Sequence, residues 1–182
     1  MIVQSDHSIL LETMGPHFEP ARDELVGFAE LVKSPDYVHS YRLTPLSLWN
    51  AAATGLRVQQ VLETLEKYAK YDIPPNVPVW VQETMARYGR LRLRPGSPQL
   101  VLEAESALLM KEVASLKVII PLLGEPISDT QVSIDPGYRG ELKQALIQAG
   151  HPVEDLAGYV DGESLEIGLR HTTLSNNDFN CI

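Results

Sequence analysis

The chain has 182 residues, 44% hydrophobic and 21% charged, with a formal net charge of −9. That length and balance suit one domain or two small ones, each with its own core. No apolar run reaches the roughly 18 residues a membrane-crossing helix needs, and the start MIVQSDHSILLE lacks the pattern of a signal peptide. Cys181 is the only cysteine, so disulfides within the chain and cysteine zinc sites are excluded, and the cytoplasm is the expected compartment. The charge is uneven. Residues 41–100 carry four acids and eight bases, net +4, while residues 1–40, 101–149 and 150–182 are each net acidic. Only the middle of the chain can attract a polyanion.

In chain order, Ile2–Gln4 and Ile9–Glu12 read as two short strands around a turn. Pro20 fits the first turn of a helix reaching about Ala29, with Leu25, Phe28 and Ala29 inward. Pro35-Asp36 marks a turn, and Tyr37–Leu43 alternates as a strand. Thr44-Pro45 is an N-cap followed by proline, predicting a helix to Thr54 that stops at Gly55. A second helix spans about Arg57–Lys70, with Val58, Val61, Leu62, Leu65, Tyr68 and Ala69 on one face. Asn76 opens a third, closed by Gly89. Arg90-Leu91-Arg92-Leu93-Arg94 alternates strictly, so a strand there puts both leucines on one face and the arginines on the other. Pro95-Gly96-Ser97-Pro98 turns the chain into a partner strand at Leu100–Leu102.

Three helices and a hairpin are the order of a winged helix, with a wing at Leu91–Leu102 and a basic edge. The second half offers a helix around Ala107–Leu116, a buried strand or connector at Val118–Leu122, and a strand at Gln131–Ile134. A helix starting at Asp135-Pro136 stops at Gly150. From Ala157 the chain reads as an acidic linker or tail. The expected fold class is therefore α+β: a winged-helix-like helical domain with a β-hairpin wing over residues 1–97, then a small α+β domain over 98–160. Residues 161–182 would be the tail. Both Thr44-Pro45 and Asp135-Pro136 follow a strand and lead to a helix ending at glycine, which is shared capping grammar.

Chemistry is scarce. No glycine precedes a lysine, so the phosphate-gripping P-loop is missing, and there is no Asp-Glu-Ala-Asp/His box to hold magnesium. His7, His17, His39, His151 and His171 are scattered and fit surface or structural roles. No catalytic set and no cofactor is expected of this chain, and paired acids such as Glu154-Asp155 read as solvated surface. The candidate residues are instead cationic. Arg87, Arg90, Arg92 and Arg94 are four bases in eight residues with no acid among them. Guanidinium forks suit phosphate oxygens, so these residues are candidates for DNA backbone contact; the other reading is a charged edge that discourages sheet-to-sheet association. Arg42, at a strand-to-helix junction, either meets a phosphate or pairs with a nearby acid. Trp49, Tyr68, Trp80 and Tyr88 are able to stack bases, but their helical spacing assigns them to the interior.

Several stretches carry a resemblance: Ile2-Val3-Gln4-Ser5-Asp6, Ile9-Leu10-Leu11-Glu12, Phe28-Ala29-Glu30-Leu31 and Met85-Ala86-Arg87-Tyr88-Gly89-Arg90-Leu91. The specific ones are Tyr41-Arg42-Leu43-Thr44-Pro45-Leu46-Ser47-Leu48-Trp49-Asn50-Ala51 and Asp155-Leu156-Ala157-Gly158-Tyr159-Val160-Asp161-Gly162-Glu163. Over about residues 1–170 the chain resembles the N-terminal region of bacterial and archaeal xeroderma pigmentosum group B DNA-repair helicases. The resemblance implies a winged-type domain and then a damage-recognition-like domain from about Gln99 to Gly158. In the family these precede a superfamily 2 motor of 3′-to-5′ polarity, which alone uses ATP and magnesium; this chain reads as stopping before that motor. Expected partners are duplex or forked DNA and the helicase motor or a nuclease, with no membrane. The rival reading is a protein-interaction module that binds no DNA itself.

Overall fold

A computed structural model describes residues 1–158 of the chain. Two hydrophobic cores divide it, one drawn from Val3 to Met85 and the other from Leu91 to Val153. The first is built by a fully antiparallel sheet of β1 (Ile2–Val3), β2 (Ser8–Glu12), β3 (Glu30–Lys33) and β4 (Val38–Arg42), in the order β1-β2-β4-β3. Helices α1 (Phe18–Leu25), α2 (Pro45–Ala53), α3 (Val58–Tyr68) and α4 (Asn76–Met85) complete it. Alternation in β2 turns Ile9 and Leu11 inward, where they join Leu25, Tyr41, Leu48, Leu65 and Val81.

The capping signals of α2 act as read from the sequence, whereas α4 starts without a side-chain cap and ends at Met85, before the Gly89 expected to close it. The Thr44 hydroxyl accepts from the Ser47 amide at 3.0 Å, and the Ser47 hydroxyl accepts from the Thr44 amide at 3.0 Å, a reciprocal box. Gly55 closes α2 at φ +90°, a conformation that favours glycine. Two details differ. α1 ends at Leu25, yet Phe28 and Ala29 are buried as expected, held beyond the helix by amide bonds to the Leu25 carbonyl. Strand β3 has no sequence signal, because all four of its residues are exposed and only edge pairing with β4 makes it a strand.

The second core lies under a five-stranded sheet. It contains β5 (Leu91–Arg94), β6 (Leu100–Ala104), β7 (Pro126–Ser128), β8 (Gln131–Ile134) and β9 (Val153–Asp155), in the order β7-β8-β6-β5-β9. All neighbours are antiparallel except β5 and β9. Helices α5 (Ala107–Ala114) and α6 (Arg139–Gln148) pack on it, with 3-10 turns at Ile120–Leu122 and Pro136–Tyr138. The first of these resolves the 118–122 stretch as a connector. Asp135 caps the second through its side chain, accepting from the Gly137 amide at 2.8 Å, so the cap-proline device here starts a 3-10 turn that runs into α6.

The mixed α+β class thus holds, with six α-helices and two sheets among the described residues. The hairpin expected as a wing on the first unit is not packed there. Its leucines, Leu91 and Leu93, are 1% and 0% exposed in the second core, and both strands sit inside the second sheet. The physical reason is pairing: β8 and β9 offer hydrogen-bond partners on the two outer edges of the hairpin, which a wing leaves open. β9 was not expected, being three residues long in a stretch read as surface. The part of the tail beyond residue 158 lies outside the described residues.

Candidate functional site

Alternation in β5 places Arg92 and Arg94 on the outer face of the second sheet, with Arg90 just before the strand. None of the three stands alone. The Arg90 Nε donates to Glu105 Oε2 at 2.9 Å, Arg92 Nε to Glu154 Oε2 at 3.1 Å, and Arg94 Nε to Glu103 Oε2 at 2.5 Å. The expected basic edge is therefore corrected on two counts. β5 is an interior strand, and its arginines form a ladder of ion pairs with carboxylates from β6, from the residue that follows it, and from β9. Register is the cause: Arg92 lies opposite Glu103 on one side and Glu154 on the other. Hydrogen bonds from Gln131 and then Arg94 hold the Glu103 carboxyl below its ordinary range. The three arginine side chains remain 46–48% exposed, and pairs so open to water contribute little to stability.

Arg87 differs. It follows α4, is exposed, and makes no ion pair among the described residues. Arg42 lies apart on the first sheet, opposite Ser8 and Glu30, and its charge reinforces the lowering of the Asp6 carboxyl that begins with hydrogen bonds from Ser8. The structure thus groups Arg87, Arg90, Arg92 and Arg94 along β5 and its approach, and leaves Arg42 elsewhere.

Of the four aromatic residues expected in the interior, Trp49 is buried, while Tyr68, Trp80 and Tyr88 are only partly so. Trp49 is 6% exposed and its indole N–H donates to the Thr84 carbonyl at 2.8 Å. Trp80 stacks on His7 with ring centroids 3.8 Å apart, and the Tyr68 hydroxyl donates to Glu24 at 2.8 Å. Tyr88 is half-buried, and burial together with Glu154 and Asp155 pushes its phenol up. Among the described residues no group of three or more His, Cys, Asp or Glu side chains is placed to hold a metal ion. No described helix is long and apolar enough to cross a membrane.

Two clefts lie where the units meet. The larger, about 490 Å³, sets Leu46, Trp49 and Asn50 of the first unit against Arg139, Lys143 and Asp155 of the second. Asp155 is the hub. It accepts from Arg139 Nε and Nη2 at 3.0 and 2.9 Å, from Lys143 Nζ at 2.8 Å, and from the Ala157 amide at 3.2 Å. Burial raises its carboxyl, but these donors outweigh that and leave it below the ordinary range. Glu154 and Asp155, expected as solvated acids, are instead drawn into ion pairs. The missed signal is the i,i+4 spacing of Arg139 and Lys143, which puts two cations on one helical face. The smaller cleft, about 280 Å³, is lined by Arg87, Arg90, Glu112 and His151.

Residues 1–128 match the family described as helicase conserved C-terminal domain. The chain belongs to this family. The match to the helicase domain family runs from the first unit through the hairpin and α5 to β7. Longer similarity connects this family member to named helicases. It is 46% identical over 170 residues to the DNA 3′-5′ helicase XPB of Kineococcus radiotolerans, covering 93% of this chain and 30% of that protein. With the DNA 3′-5′ helicase XPB of Mycobacterium tuberculosis it shares 43% identity over 180 residues, covering 98% and 33%. A third relative, the general transcription and DNA repair factor IIH helicase/translocase subunit XPB of Enterocytozoon bieneusi, is 27% identical over 165 residues, covering 91% and 27%. The chain spans about a third of the length of the curated relatives it matches.

Proposed function

We propose that this chain is a non-catalytic, DNA-facing module of an XPB-type DNA-repair helicase, corresponding to the region that precedes the motor. The reading rests on the similarity to the two bacterial DNA helicases, which covers 93% and 98% of the chain. The matched family carries the description of a C-terminal domain, so the N-terminal placement comes from the sequence resemblance alone. The fold is compatible with a module outside the motor: both described sheets are mainly antiparallel, whereas nucleotide-binding lobes place a phosphate loop at the end of a parallel, helix-flanked strand. In this reading residues up to about Gly89 form the first unit and the rest the second. Phosphate contact falls to Arg87, Arg90, Arg92 and Arg94, with Arg42 as an outlying site, and recognition is by backbone and shape. The motor or a nuclease docks on the acidic flanks.

The second reading, a protein-docking module without DNA affinity, is favoured by the ion-pair ladder, which cancels three of the cations. One experiment separates them. Anisotropy with labelled duplex and forked oligonucleotides is compared between the wild type and the Arg90→Ala, Arg92→Ala, Arg94→Ala triple variant. Weaker binding and a shallower salt dependence in the variant support the DNA module, since each lost phosphate contact removes about 0.9 from the log–log slope. Unchanged affinity and slope overturn the assignment of these arginines.

A further inference from the structure

The smaller cleft lies where the chain crosses from the first unit to the second. Arg87 reaches it from the end of α4, and Arg90 from the approach to β5. Ala149, at the C-cap of α6, and His151 line the other side, with Glu112 of α5 beside them. The Arg87 guanidinium lies beside the C-terminus of α6. Gly150 ends α6 at φ +83°, and a Cβ built on it would lie 3.5 Å from the Arg87 Nη1. The carbonyl end of a helix carries partial negative charge, which favours the guanidinium beside it and weakly opposes an anion. Arg90 donates its Nε–H to Glu105 and keeps its two terminal amino groups. At about 280 Å³ the cleft is smaller than most drug-sized ligand sites and suits one phosphate with part of a sugar.

We propose that this cleft seats one backbone phosphodiester of DNA, held by the guanidiniums of Arg87 and Arg90. The proposal rests on the DNA-module reading and adds a defined site to it, built from both units. A phosphate there would fix how the two units sit against each other on the duplex. The charges that face the site are Arg87, Arg90, His151, Glu105 and Glu112. Glu105 is spent on Arg90, and Glu112 stands 3.6 Å from the His151 Nε2 with its side chain 60% exposed. Glu112, which lines the cleft without holding either arginine, opposes the ligand together with Glu105, and its removal should help binding.

That opposite sign makes the test sharp. The full chain and its Arg87→Gln and Glu112→Gln variants are titrated with a labelled duplex, and arginine Nε–H resonances of the wild type are followed by NMR during addition of inorganic phosphate. The expected results are about three- to tenfold weaker duplex binding for Arg87→Gln with a salt slope lower by about 0.9, and tighter binding for Glu112→Gln. The Arg87 and Arg90 Nε–H signals should shift with phosphate. Wild-type duplex binding that neither variant changes overturns the cleft and leaves the DNA module standing. A wild type that binds no duplex overturns the module reading, and the phosphate titration then judges the cleft alone: shifted arginine signals support an anion site, unshifted ones overturn it.

Discussion

Glu24 joins α1 to α3, and replacing it with glutamine should cost the first unit stability in a pH-dependent way. Its Oε1 accepts from Lys67 Nζ at 2.7 Å and from the Tyr68 hydroxyl at 2.8 Å, and its Oε2 from the Thr64 hydroxyl at 2.8 Å. Those three donors, Lys67 foremost, bring the carboxyl from 4.5 down to about 2. At about 1.4 kcal/mol per pH unit, that fall would be worth about 3 kcal/mol if the group were shielded. The side chain is 39% exposed, so solvent screening leaves about 1 kcal/mol. A lowered carboxylate stabilises the fold fully above its unfolded value, near pH 4.5, and that contribution disappears as pH falls through about 2. Urea unfolding followed by tryptophan fluorescence is the assay, because Trp49 on α2 and Trp80 on α4 both belong to the first unit. The wild type should exceed Glu24→Gln by about 1 kcal/mol at neutral pH, with the gap closing between pH 4.5 and 2. A gap that stays constant across that range would refute the charge-based reasoning.

Other consequences follow from the second unit. Asp155→Asn removes the charge that Arg139 and Lys143 share in a site only 13% exposed, and should destabilise by about 1–3 kcal/mol, read by thermal unfolding in circular dichroism. Because the Asp155 carboxyl is lowered, that difference should shrink as pH falls below 3.8. Leu93→Ala empties a fully buried position and should cost about 2–5 kcal/mol by the same measurement; a loss below 1 kcal/mol would contradict the burial of the hairpin in the second core. Glu103→Gln with Glu105→Gln unpairs two of the arginines and should tighten duplex binding and steepen its salt dependence, both read by anisotropy.

Local signals were legible where the chain decides its own backbone. Thr44-Pro45, the Gly55 stop and the Leu91/Leu93 alternation each correspond to an observed cap, C-terminus or buried face. What the sequence hid was pairing between distant segments. β3 and β9 exist only because a neighbouring strand offers its edge, and nothing in Glu30–Lys33 or Val153–Asp155 announces that. The same long-range pairing moved the hairpin from the first unit to the second sheet. At the candidate site, the arginines stood where alternation put them, but their charge balance was misjudged. Extending the partner strand three residues past Leu102 brings Glu103 and Glu105 opposite them. Glu154 was beyond such reasoning, since it arrives by a parallel pairing 62 residues away. Arg87, which alone of that group has no carboxylate partner among the described residues, is not distinguishable from its neighbours in the sequence.

The central claim, that an acidic chain faces DNA through a local cationic surface, meets its most direct test in the salt dependence of wild-type binding to a forked duplex. With contacts from Arg87 and the ladder arginines, the log–log slope should be about −3 to −4. A chain that shows no binding at low salt, or binding whose strength ignores salt, would contradict it.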